Sequence, residues 1–141
     1  MIMDITYTNT ISVEDYNKLR KSAGWLELQP EQIEIGLKNS AFIVIAKDGE
    51  NTVGMARIVS DGGYVVFIVD VIVLPEYQHK GIGKTMMGKI MEYVNSNLKD
   101  GYWIQVDLMA AKGRESFYEQ FGFGKRPNER FGCGMTQRIK K

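Results

Sequence analysis

Cysteine, histidine and proline are nearly missing: the 141 residues hold one, one and three of them. Cys133 stands alone, so an internal disulfide and a Cys-based zinc site are both excluded, and no metal is expected. Long hydrophobic runs are lacking too. Apolar runs such as Val65 to Val69 fall far short of a membrane span, and Met1 to Thr10 has neither the basic start nor the apolar middle of a signal peptide. These features lead to the expectation of a cytoplasmic protein with no membrane partner. Charge of one sign is lacking as well: eighteen Lys and Arg face seventeen Asp and Glu, a net +1 that recommends no nucleic acid. The balance is uneven, however. Residues 1–63 carry −3, residues 64–123 carry −1 and residues 124–141 carry +5. The basic end, with Lys125, Arg126, Arg130, Arg138, Lys140 and Lys141, suits a polyanion grip, but an exposed strand and solvated tail explain it with fewer assumptions.

What is present is enough for one core. A chain of this length, 44% hydrophobic and 25% charged, fits a single domain spanning residues 1–141, and no linker, repeat or low-complexity run interrupts it. Alternation predicts a strand from Met3 to Thr8. Ser12, three residues before Asp15, predicts a helix start whose face includes Tyr16, Leu19 and Arg20, with Gly24 as its stop. Pro30 opens a second helix, followed by strands over 41–46, 52–60 and 64–74 with turns at Asp48-Gly49 and Asp61-Gly62-Gly63. The nearly unbroken apolar run of the fourth strand predicts a central position with both faces covered. Ile82, Met86, Ile90 and Val94 mark one face of a long helix; a fifth strand follows at 102–108, a helix at 112–121, and two short strands around Asn128-Glu129. The order β-α-α-β-β-β-α-β-α-β-β is α/β (α+β): antiparallel hairpins joined to one parallel pair, strands four and five, by a helical crossover.

The most informative stretch is Leu74-Pro-Glu-Tyr-Gln78-His-Lys-Gly81-Ile-Gly83-Lys84, between a buried strand and a long helix. First-turn N–H groups have no partner within a helix and carry the positive end of its dipole, and glycines let a cluster of anionic oxygens approach the backbone. A pyrophosphate suits such a turn. The phosphate-loop pattern of nucleotide triphosphatases is not met, because Gln78 stands where its first glycine belongs, and a dinucleotide fingerprint fails at Met86.

Gln78-His-Lys-Gly81-Ile-Gly83, following a strand that ends in a hydrophobic-x-Pro segment, resembles the [QR]-x-x-G-x-[GA] hallmark of the GNAT superfamily of acetyl-CoA-dependent N-acetyltransferases. Phe117-Tyr118-Glu119-Gln120-Phe121-Gly122-Phe123 is similar to the family's second block, about 40 residues on and in the right element order. The resemblance implies a single GNAT-like domain with strands four and five splayed apart. It also implies acetyl transfer from acetyl-CoA, as cosubstrate, to a primary amine of a small molecule, peptide or protein through a ternary complex, and it allows a homodimer.

By the same resemblance, the backbone of Gln78, His79, Lys80, Gly81, Ile82, Gly83 and Lys84 holds the CoA pyrophosphate, while Val71, Ile72 and Val73 pair with the pantetheine arm. Val71 is the candidate oxyanion donor. Tyr118 matches the general acid that protonates the departing sulfur; with a reference pKa of about 10 it keeps its proton at neutral pH. Asp70, the sole ionisable residue between Asp61 and Glu76, is the candidate base or a binder of the substrate ammonium, with water as the alternative base. It is no strict equivalent of the acid in histone-type members, whose position is Phe67 here. Ala111 replaces an asparagine that contacts CoA in many members. Trp25, with Leu26 and Glu27, falls in the segment that often covers the acceptor pocket, and Trp25 is the candidate pocket wall.

Two other functions compete. A CoA-binding sensor that kept the loop but lost turnover is consistent with Ala111, while RNA binding through the basic C-terminus lacks interleaved aromatics and any RNA-recognition signature.

Overall fold

A computed structural model describes residues 3–141; the expected strand start at Met3 is corrected to Ile5. The chain forms two compact units that meet in sequence after Leu108. The first contains β1 (Ile5–Thr8), α1 (Val13–Ser22), α2 (Pro30–Lys38), β2 (Phe42–Asp48), β3 (Asn51–Ser60), β4 (Val65–Val73), a single 3-10 turn (Pro75–Tyr77), α3 (Ile82–Ser96) and β5 (Gln105–Leu108).

Local chemistry sets these boundaries. The Ser12 hydroxyl accepts from the Asp15 N–H at 3.1 Å and caps α1, as its spacing predicts. The far end of α1 turns at Gly24, φ +76°, which lets the Trp25 N–H reach back to the Arg20 carbonyl at 2.9 Å. Pro30 takes the first helical position of α2, where its missing N–H costs nothing.

The strands lie in the order β1-β2-β3-β4-β5, antiparallel except for the β4–β5 pair, which α3 joins as a crossover. β3, not β4, is therefore the middle strand. β4 is an interior strand, paired on one side with β3 and on the other with β5 and contacted by both α1 and α3, which is the covered position its long apolar run predicts. α3 packs on one face through Met86, Met87 and Ile90, all fully buried. Gly54 lets it come close: a Cβ there would stand 3.2 Å from Met86 Cε and 3.2 Å from the Ile72 carbonyl oxygen. α1 contacts β3 and β4 as well as α2, bringing fully buried Leu19 into the core; each such side chain contributes about 1.5–3 kcal/mol.

In the second unit, residues 109–141, α4 spans Glu115–Glu119, half the length expected from 112–121. Residues 120–141 hold no strand, which corrects the expectation of two. A strand needs a ladder and one buried face, and this segment has neither. Its polar groups are met locally, with Asn128 Oδ1 accepting from the N–H groups of Arg130 and Phe131 at 2.9 Å each, and beyond Gly122 every residue except Phe123 is exposed.

Candidate active site

β4 departs from regularity at one point. Arg57 of β3 pairs with Val69, but Met55, two residues earlier, pairs with Ile72, so β4 carries one extra residue opposite Ala56. Asp70 sits in this bulge with φ +54°, a left-handed conformation rare outside glycine and tolerated best by Asp and Asn. Pairing with β5 has already ended: it covers Val65 to Ile68 only, leaving Val69 to Val73 without a β5 partner. Val71, Ile72 and Val73 all lie on this parted stretch.

The glycine loop follows. Gly81 is the N-cap of α3 with φ +84°, and no atom lies within 4 Å of the place its Cβ would take. Glycine is needed there for backbone conformation, and the space above it is open. The first intrahelical bond runs from the Thr85 N–H to the Gly81 carbonyl at 3.0 Å, so the amides of Ile82, Gly83 and Lys84 stand before the ladder begins. No side chain caps this end, and its first turn holds no acidic residue. An anion is therefore free to take the place a capping side chain usually fills, which fits the pyrophosphate of CoA. The Gln78 side chain braces the loop, since its Nε2 donates to the Val73 carbonyl at 2.9 Å and clasps the turn to the end of β4. His79, at φ +62°, Lys80 and Lys84 are exposed.

Asp70 is not a free carboxylate. Its Oδ2 accepts from the Tyr16 hydroxyl and from Arg57 Nε at 2.7 Å, and its Oδ1 accepts from Arg20 Nη1 at 3.4 Å. The carboxylate side chain is 9% exposed, and those of Arg20 and Arg57 are 15% and 17% exposed. Burial, reinforced by the hydrogen bond and charge of Asp70, holds the Tyr16 phenol above its ordinary value. Burial opposes the Arg57 charge, but the hydrogen bond and charge of Asp70 outweigh it and raise the guanidinium. Trp25 lies near this cluster, its ring 5.4 Å from Arg20 Cζ, while Arg20 Nε donates to the Leu26 carbonyl at 2.7 Å.

Sequence reasoning missed the cluster as a unit. Tyr16 and Arg20, four apart on one helix, and Arg57, the one charged residue of β3, were the available signals.

Tyr118 belongs to the second unit. It is half-buried on α4, edge-on to Phe117 at 5.1 Å and to Phe123 at 6.4 Å between centroids. Burial raises its phenol above the ordinary value, and the nearby Arg114 charge offsets part of that rise. Ala111 accepts through its carbonyl from the Arg114 N–H at 2.9 Å in the turn before α4. Cys133 is exposed. Among the described residues no group of three or more His, Cys, Asp or Glu is placed to hold a metal ion, and no helix is long and apolar enough to cross a membrane.

A mixed sheet whose one parallel pair parts beside a glycine-opened, uncapped helix defines a GNAT-like acetyltransferase fold. The chain belongs to the acetyltransferase (GNAT) family, whose model matches residues 7–123, and it is an acetyltransferase enzyme. An uncharacterized N-acetyltransferase, ycf52, of Porphyra purpurea is 32% identical over 133 residues, covering 90% of this chain and 74% of the relative. The crystal structure of a probable acetyltransferase from Staphylococcus aureus is similar at 34% identity with a TM-score of 0.86, covering 96% of this chain and 100% of the other. A GNAT family protein of Streptococcus pneumoniae is 31% identical with a TM-score of 0.76, covering 99% and 100%.

Proposed function

We propose that the enzyme transfers the acetyl group of acetyl-CoA to a primary amine by direct attack in a ternary complex, with residues 1–141 working as one catalytic domain. The observation that carries this reading is the uncapped, glycine-opened start of α3 beside the unpaired stretch of β4. Backbone amides from Gln78 to Lys84 take the pyrophosphate. The pantetheine arm lies along Val71, Ile72 and Val73, and the Val71 N–H donates to the carbonyl oxygen as negative charge grows there. Oriented donors of this kind lower the barrier because they are in place before the charge appears.

Tyr118 donates the proton that the departing sulfur needs; the block around it carries this role, and its raised pKa keeps the proton in place at neutral pH. The three donors on Asp70 favour a positioning role for that carboxylate, with water accepting the proton from the amine. Trp25 enters the reading as a wall beside Arg20. The basic C-terminus gives an RNA-binding reading little support: Lys125 pairs with Glu119 at 3.5 Å, and Arg126 donates to the Gly132 carbonyl at 2.7 Å.

The test is calorimetric titration with CoA together with product detection by mass spectrometry across an amine panel. Binding of CoA with acetylated product is expected. Binding without turnover on any amine would replace this reading with the sensor, and no binding would remove both.

A further inference from the structure

The charge around Asp70 does not balance. Two guanidiniums, Arg20 and Arg57, face one carboxylate, and the fourth member, Tyr16, is a neutral phenol that donates to it. Their donors are unevenly used as well. Arg57 spends Nε on Asp70 and Nη1 on the Ser40 hydroxyl at 3.0 Å and the Gly36 carbonyl at 3.4 Å. Arg20 spends Nε on Leu26 and Nη1 on Asp70. No hydrogen bond runs from either Nη2 amino group to a carboxylate or carbonyl among the described residues. Arg57 also borders the Tyr16 hydroxyl, and no buried side-chain nitrogen among these residues is left without a partner, so the unused donors open to solvent. An excess positive charge in a site this sheltered is stabilised by an anion that satisfies those donors.

The position of the cluster gives the excess charge a use. Asp70 directly precedes Val71, the proposed oxyanion donor, and both lie where β4 has left β5. The cluster is fixed from several sides, by α1 through Tyr16, by the turn after α2 through Ser40, by β3 through Arg57 and by the Trp25 ring over Arg20. The carboxylate that anchors both guanidiniums is therefore carried by the residue next to the proposed oxyanion donor, about 3.8 Å away between Cα atoms.

We propose that the acceptor is an amine that also bears a carboxylate, an amino acid in the broad sense, and that Arg20 and Arg57 are the residues that select it. One unmatched positive charge suits one negative charge, which favours a carboxylate over a doubly charged phosphate. The inference rests on the acetyl-transfer reading above. Asp70 anchors both guanidiniums and keeps the pair from repelling, so it is a positioning residue here.

The experiment compares matched acceptors on the wild-type enzyme: glycine, β-alanine, 4-aminobutyrate and 6-aminohexanoate, each against its own primary amide, which removes the charge and keeps the amine. For the chain length that spans the site, kcat/KM on the acid is expected to exceed that on the amide by about tenfold or more. Arg20→Gln and Arg57→Lys are expected to shrink that ratio, mainly through KM. Wild-type turnover with equal or better use of the amides overturns the carboxylate selection and leaves acetyl transfer standing. No product from any of these acids or amides, with product from another amine of the wider panel, also overturns the carboxylate selection alone; acetyl-CoA binding with no product from any amine overturns both. Should Arg57→Lys fail to fold, Arg20→Gln and the wild-type ratio decide the matter.

Discussion

Arg57 Nε donates to Asp70 Oδ2 at 2.7 Å across the β3–β4 pair, at the one place where β4 holds an extra residue. The bond joins backbone irregularity to charge: the bulge presents the carboxylate, and the guanidinium anchors the bulge. Asp70→Asn tests the electrostatic half alone, because asparagine tolerates the same left-handed backbone. Two sheltered guanidiniums would then lose their counter-charge, and with side chains still partly reached by water the expected cost is about 2–3 kcal/mol. The lowered urea midpoint with an unchanged slope would record it; an unaltered midpoint would show that the pair contributes nothing to stability.

Gly81→Ala places a Cβ in open space but at φ +84°. Strain of about 1–2 kcal/mol for a non-glycine residue in this region is expected to distort the loop rather than the core. The KM for acetyl-CoA should rise about tenfold while kcat changes less. An unchanged KM would separate the loop conformation from donor binding.

Tyr118→Phe removes the proposed acid and preserves the ring contacts with Phe117 and Phe123. A fall in kcat of about 10²-fold, larger than any change in KM, is expected at neutral pH. Because the wild-type phenol is raised above its ordinary value, the wild-type rate should hold on the alkaline side until the pH passes about 10. A pH-rate profile of both proteins, with equal rates at pH 7, would dismiss Tyr118 as the acid.

Tyr16 makes a prediction about alkaline stability. Its folded-state pKa lies above the unfolded value, so the folded state binds its proton more tightly. The resulting stabilisation is fully present below about pH 10 and disappears as the pH rises through the folded value. Urea midpoints between pH 7 and pH 11 should fall more steeply for the wild type than for Tyr16→Phe, which has no phenolic proton to lose. Parallel curves would rule out this contribution.

The parts of the fold read correctly from sequence are those whose causes are local. Ile82, Met86, Ile90 and Val94 recur every four residues and are all buried on α3, and Ser12 caps the helix that its spacing to Asp15 marks. Gly81 stands out because the turn requires its positive φ, and Gln78 because its side chain ties the turn to the end of β4. The partners of Asp70 are 54, 50 and 13 residues away, and no periodicity within β4 points to them. The bulge was hidden for the same reason, since an inserted residue changes pairing between strands without changing the apolar character of either. At the C-terminus, short apolar stretches looked like strands, yet a strand depends on a neighbouring edge that the segment itself does not encode.

The single additional residue in β4 acts as a change of phase. On β3, Arg57 and Met55 point the same way, and their partners are Val69 before the insertion and Ile72 after it, so the inward and outward sets exchange odd for even numbers. Strict alternation would have aligned residue 70 with Val66 and Ile68, toward the methionines of α3. The insertion sends its carboxylate to the opposite side, among Tyr16, Arg20 and Arg57, and so decides which half of the sheet hosts polar chemistry and which stays oily.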